Sequence, residues 1–230
     1  LGIGRKDAEG DSIYNGALDN ASGTAGLLEI ANAFKSLDNR PKRSVVFLAV
    51  TAEEQGLWGS AYYAENPVYP KERTVANINM DGINPYGKMK DVMVVGSGQS
   101  EMEDYLRQEA KVLDRDVVAD DEPEKGYYFR SDHFNFAKIG IPALYLKTGS
   151  DFVGKWKDYG NDLKVTYTQK YYHQPSDEFD TTRMNFQGGV DDLKLLFQVG
   201  KRLAFDNAWP AWKEGSEFKA VREDYKPTRD

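Results

Sequence analysis

SVVFLAVTAEEQG, residues 44–56, is a short apolar run that ends in two adjacent carboxylates and a glycine. The run over Ser44–Thr51 is β-branched and nearly continuous. It predicts a strand buried on both faces, as in the centre of an α/β sheet. Working outward, Leu57–Ala64 reads as a short helix closed by Asn66-Pro67. Upstream, Ala25, Leu27, Leu28, Ile30, Ala31 and Phe34 recur at helical spacing over Thr24–Leu37, and Leu1–Gly16 reads as loop. Downstream, Thr74–Met80, Asp91–Val95 and Ile141–Leu146 are further strand candidates. Ser100–Leu113 and Phe186–Phe205 are amphipathic helices. Gly149–Asp180 is aromatic and polar without clear periodicity, and the tail from Lys213 is expected to be peripheral. Strands alternating with helices give an α/β class in three layers: a mostly parallel or mixed central sheet with helices on both faces. A length of 230 residues suits one domain over 1–230. Sites in such sheets lie beyond the carboxyl ends of the strands.

Composition narrows the chemistry. The net charge of −7 argues against nucleic acid or an anionic membrane as partner. The longest apolar stretch, Val45–Val50, is far shorter than the roughly 20 residues that span a bilayer. With no cysteine, disulfides, thiolate ligands and cysteine nucleophiles are excluded. His133 and His173 are the only histidines, so a metal site here must lean on carboxylates.

Two strands deliver acids to one rim: the first runs into Glu53-Glu54, and TVANINM (74–80) runs into Asp81. A single strand ending in an acid is ordinary surface, whereas two, one carrying a pair, favour a site. Asp19 lies in GALDNASG (16–23), where capping is the ordinary role for an acid. Asn20 and Ser22 offer further capping groups, which leaves Asp19 free to point elsewhere. His173 stands in YYHQPSDEF (171–179). For His133, in SDHFNF, the expectation is a structural histidine hydrogen-bonded at a helix start, with Ser131 or Asp132 as the cap.

GALDNASG, AEEQGLWGS (52–60), NINMDG (77–82), RSDHFNFAKIGIPALYL (130–146) and YYHQPSDEF together resemble the di-zinc aminopeptidase family of metallopeptidases, which includes the glutamate carboxypeptidases. They stand in the family's order and span most of the chain. The resemblance implies a peptide substrate and two zinc ions. It makes Asp19 the bridging carboxylate, Glu54 and His173 ligands of one zinc, and Asp81 a ligand of the other. Glu53 becomes the general base, Tyr172 a stabiliser of the tetrahedral intermediate, and Arg130 a substrate contact. Such a centre holds two ions about 3.5–4 Å apart and activates a water for attack on the peptide carbonyl. The expected activity is removal of N-terminal residues, in a periplasmic or secreted enzyme. The aromatic residues Trp156, Tyr159, Tyr167, Tyr171 and Tyr172 either wall a pocket or pack the loop.

The sequence departs from the family at one point. A His-x-Asp motif at a strand end, which supplies a further histidine to the Asp81 zinc, is absent. Three expectations follow: a weak second zinc site with only Asp19 and Asp81, a sheet with an unpaired edge or core gap, and a 230-residue chain that is metal-poor or inactive beside the full-length enzyme. Two alternatives share the fold. One is a single-zinc glutaminyl cyclase using Asp19, Glu54 and His173; the other is a receptor-like member without catalysis.

Overall fold

A computed structural model describes residues 2–225 of the chain. The elements, in order, are β1 (Gly2–Ile3), β2 (Ile13–Tyr14), α1 (Gly23–Lys35), α2 (Trp58–Glu65), β3 (Asn77–Asn79), β4 (Asp91–Val94), α3 (Met102–Val112), β5 (Asp116–Ala119), α4 (His133–Lys138), β6 (Ala143–Thr148), α5 (Tyr159–Lys170), α6 (Gln187–Phe205) and α7 (Lys219–Asp224). β1 and β2 form a small antiparallel pair, so the entry region is more ordered than the loop expected there; Leu1 lies outside the described residues.

The main sheet has the order β3-β6-β4-β5. β3 runs parallel to β6, β6 antiparallel to β4, and β4 parallel to β5. The expected mixed α/β sheet is therefore present. Alternation along β6 sorts its side chains into two layers. Leu144 and Leu146 join Val92 and Val94 in a core closed by Met102 and Leu106 of α3, Ile30 of α1, and Leu195, Leu196 and Val199 of α6. Tyr145 points to the opposite face, where its ring lies 4.7 Å from that of His133 on α4. Among the described residues no helix is long and apolar enough to cross a membrane.

The stretch quoted at the outset behaves differently from expectation. Ser44–Val50 forms no strand, and Val45, Val46 and Phe47 are 37%, 49% and 37% exposed. A strand is defined by its ladder, and β3, the nearest candidate partner, stands at the sheet's edge. Between the run and β3 lies a cleft of about 1480 Å³, lined by Ser44–Glu54 on one wall and Thr74–Asp81 on the other. The expected unpaired edge and core gap are both here. The run is anchored at its start instead, by Arg43 Nη1 donating to Leu203 O at 2.6 Å and Ala208 O at 2.8 Å.

Three other expectations are corrected. The irregular stretch contains α5, whose residues are mostly exposed, with only Gly160 buried; a helix without an apolar stripe leaves no periodic signal. The four-residue β5 pairs with β4 where no strand was foreseen. The tail is docked rather than peripheral as far as it is described, to Tyr225, with residues 226–230 outside the described residues: Phe218 is buried in one cluster with Ala137 and with Trp212 just before the tail. Trp212 Nε1 donates to Gly140 O at 2.8 Å, and Arg222 Nη2 to Thr74 O at 3.1 Å.

Candidate active site

Four irregular turns meet at the carboxyl ends of β3 and β6. The first, Ala17–Ser22, is shaped by polar side chains. Asn20 Nδ2 donates to Met80 O at 3.1 Å, while its Oδ1 accepts from Gly23 N at 3.0 Å and Gly82 N at 2.9 Å. One amide thus starts α1 and ties it to the Asp81 turn. Gly23 is required there, since a Cβ would meet Asn20 Oδ1 at 2.1 Å. With Asn20 in that role, Asp19 faces the site.

The second turn carries Glu53 and Glu54. Ala52 and Leu57 adopt φ of 55° and 63°, and Gly56 of 105°. The left-handed region costs a non-glycine residue about 1–3 kcal/mol. Leu57 N to Glu53 O (2.8 Å), Gly56 N to Glu53 O (3.0 Å) and Gly59 N to Thr51 O (3.0 Å) hold it in place. Asn135 Nδ2 adds bonds to Leu57 O and Ser60 Oγ. The third turn follows β3 and presents Asp81, whose Oδ2 accepts from Ser131 Oγ at 3.0 Å and from the Tyr145 hydroxyl at 3.1 Å. The fourth follows α5 and holds His173 at φ 56°, its ring stacked on Tyr172 with centroids 3.8 Å apart.

His173 Nε2 lies 3.2 Å from Asp19 Oδ2 and 3.1 Å from Glu54 Oε2. One ligand atom from each of these three residues falls within 4.8 Å of the others. Two carboxylate oxygens and one imidazole nitrogen fit a zinc ion with three protein ligands and an open fourth position. Asp81 and Glu53 stand beside this group, and the electrostatics register the crowding. Burial pushes Asp19 up to about 6, with the charges of Asp81 and Glu54 adding to it. Burial pushes Glu53 up to about 8, helped by Asp81, Glu54, Asp132 and Asp19. Carboxylates gathered at such cost suit a dication, whose charge reverses that direction. The Tyr172 hydroxyl is pushed up to about 12, first by burial and then by Asp19 and Glu54, so it keeps its proton at neutral pH.

Of the residues singled out from sequence, Asp19, Glu54 and His173 form one tight group with Glu53, Asp81 and Tyr172 around it. Arg130 lies outside that group, exposed, with its guanidinium 5.8 Å from the Tyr127 ring. His133 is fully buried, and neither ring nitrogen has a hydrogen-bond partner among the described residues. It is structural, but not in the manner expected. Ser131 is spent on Asp81, and Asp132 accepts from Ser60 Oγ at 2.5 Å, so neither caps α4.

What sequence reasoning did not foresee is the role of the residues that aim the others. Asp177 is 1% exposed. It accepts from Leu18 N at 3.1 Å, Asp19 N at 3.1 Å and Tyr167 Oη at 3.3 Å. The signal was an acid four residues after the histidine in an otherwise neutral HQPSD segment. Tyr145 was visible as the one hydroxyl in ALYL (143–146).

The profile of Peptidase family M28 matches residues 5–195. Aminopeptidase NAALADL1 of Mus musculus is 46% identical over 76 residues, 31% of this chain and 10% of that protein. Aminopeptidase YwaD of Bacillus subtilis is 28% identical over 169 residues, 72% of this chain and 33% of that protein. Among solved structures, the LapA aminopeptidase of Legionella pneumophila superposes with a TM-score of 0.62 and 22% identity, over 85% of this chain and 48% of that one. At that identity the likeness is one of fold. The chain spans a third or less of these curated relatives.

Proposed function

The chain belongs to Peptidase family M28, and from that premise we propose that it is the catalytic part of a zinc exopeptidase that removes N-terminal residues from peptides. The observation that carries this reading is the meeting of Asp19, Glu54 and His173 at one point, with Glu53 beside them. Asp19, Glu54 and His173 would hold zinc, and Asp19 and Asp81 would share a second ion. Zinc supplies Lewis acidity towards a carbonyl oxygen and acidifies water. The chain's own groups do the rest. Glu53 takes a proton from the attacking water and passes it to the leaving amine. The Tyr172 hydroxyl, protonated at neutral pH, donates to the developing oxyanion. Ser131 and Tyr145 keep the Asp81 carboxylate turned into the site.

Hydrolysis of leucyl anilide by the zinc-loaded chain tests this. Glu53→Gln is expected to lower kcat by about 10²–10⁴-fold while retaining zinc. Equal activity in the variant would remove Glu53 from its role.

A second reading is favoured by one observation. The compact ligand group has three members and excludes Asp81, which is a one-metal set, as a glutaminyl cyclase would use. Cyclisation of an N-terminal glutamine peptide, assayed beside anilide hydrolysis, separates the two.

A further inference from the structure

Asn15-Gly16 is the one Asn-Gly step in the sequence, and it leads into the turn that presents Asp19. Glycine has no side chain to keep its nitrogen away from the asparagine amide carbon. Asn15 is exposed, and the Gly16 N–H has no hydrogen-bond partner among the described residues. The one Asp-Gly step, Asp81-Gly82, is arranged in the opposite way. Gly82 N donates to Asn20 Oδ1 at 2.9 Å, and the Asp81 carboxylate is held by Ser131 and Tyr145. The Asn15 amide is held loosely. Its Nδ2 faces three oxygens: Glu178 Oε1 at 3.2 Å, and Pro175 O and Ile13 O, both at 3.5 Å. The last two distances lie at the outer edge of hydrogen bonding.

We propose that Asn15 is a site of spontaneous deamidation, and that its conversion loosens the link between the Asp19 turn and the segment that carries His173. The Gly16 nitrogen attacks Asn15 Cγ and gives up its proton to solvent. The Cγ–Nδ2 bond breaks, Nδ2 takes a proton from water and leaves as ammonia, and a cyclic imide closes. Water then opens the imide at either carbonyl, which gives aspartate or isoaspartate. The net reaction consumes one water and releases one ammonia. Either product carries a carboxylate, which only accepts hydrogen bonds when ionised. It would meet Glu178, Pro175 O and Ile13 O as a repelling group where the amide was a donor. Isoaspartate also inserts a methylene into the main chain. Ala17 N, two residues on, donates to Asp177 O at 2.9 Å, and Leu18 N and Asp19 N donate to the Asp177 carboxylate. The added length falls directly ahead of these bonds. The consequence for metal rests on the zinc reading above, since it runs through Asp19 and His173; the deamidation itself does not.

The test follows the purified chain in mildly alkaline buffer, where the attacking nitrogen loses its proton more readily, with a mildly acidic sample as control. Peptide mapping by mass spectrometry reads the conversion of amide to acid, and enzymatic methylation of isoaspartate reads the rearranged product. Conversion is expected at Asn15 ahead of every other asparagine, with no isoaspartate at Asp81. Ion exchange separates the converted chain by its added negative charge. In that fraction, hydrogen exchange on the metal-free chain is expected to speed up at Ala17, Leu18 and Asp19. Chelator competition is expected to show zinc held about tenfold more weakly, the lower end of the range for groups that orient metal ligands. Asn15→Gln, incubated alongside, is expected to keep its exchange pattern and its zinc affinity, and a thermal melt checks that it folds. The proposal is overturned if no acid forms at position 15 while the urea-unfolded chain forms it, or if other asparagines convert first. It is equally overturned if the converted fraction exchanges or binds zinc as the fresh chain does, or if Asn15→Gln decays alike. If the fresh chain binds no zinc while conversion and faster exchange both appear, the metal reading fails and the deamidation site stands.

Discussion

The Asp19 backbone N–H donates to Asp177 Oδ2 at 3.1 Å, so the segment that supplies His173 also holds the turn that supplies Asp19. One buried carboxylate thus ties together the segments of two candidate ligands that stand 154 positions apart in sequence. Asp177 spends its oxygens on Leu18 N, Asp19 N and the Tyr167 hydroxyl and points none at the site. Asp177→Ala strands two N–H donors and is expected to weaken zinc binding by about 10–100-fold, the range for residues that orient metal ligands. Competition with a chromophoric chelator measures this; unchanged affinity would show that the turn holds its shape alone.

The number and identity of the metal ions can be read by dialysis and elemental analysis. One tightly held zinc per chain is expected. Asp19→Asn, Glu54→Gln and His173→Gln should each abolish it, since each removes one of three ligand atoms. Asp81→Asn should leave it in place, because the Asp81 carboxylate is engaged by Ser131 and Tyr145. Two tightly bound ions in this chain, with full peptidase activity, would sink the expectation of a weak second site.

The acids of the site were legible because strand-end placement and family-like wording depend on local sequence. GALDNASG and AEEQGLWGS each contain short-range bonds that shape their turns, Asn20 to Gly23 and Glu53 to Leu57. The supports were not legible, because they are long-range. Asp177 reaches back 158 residues to Asp19, and Ser131 reaches 50 to Asp81. α5 was hidden because an exposed helix need not be amphipathic. Ser44–Val50 misled for the opposite reason. Its composition is that of a buried strand, but composition cannot supply the neighbour with which a strand must pair.

His133 makes a prediction about pH. Burial pushes its imidazole down to about 3, with the Lys147 ammonium contributing, against about 6.5 in the unfolded chain. The folded state keeps the ring neutral, while the unfolded state takes up a proton below about pH 6.5. Its contribution to stability is therefore complete above pH 6.5 and is lost as pH falls towards 3. At pH 5 the loss is about 2 kcal/mol, from 1.36 kcal/mol per pKa unit. Denaturant melts across this range should show that slope, and His133→Phe should flatten it. An equal slope in the variant would assign the acid sensitivity to other groups.

The open edge of β3 and the exposed run opposite it predict self-association. Val45, Val46 and Phe47 present apolar side chains at a cleft whose other wall is an unpaired strand edge. Unpaired edges next to apolar surface template pairing with another chain. Light scattering is expected to show oligomers whose fraction grows with protein concentration. Val46→Lys places a charge in the middle of the run, where docking of a second strand would have to bury it, and should shift the population towards monomer. Val46 is 49% exposed in the monomer, so the lysine can keep its ammonium in water and the thermal midpoint should move little. A monomer at every concentration, or oligomers indifferent to Val46→Lys, would place the contact elsewhere.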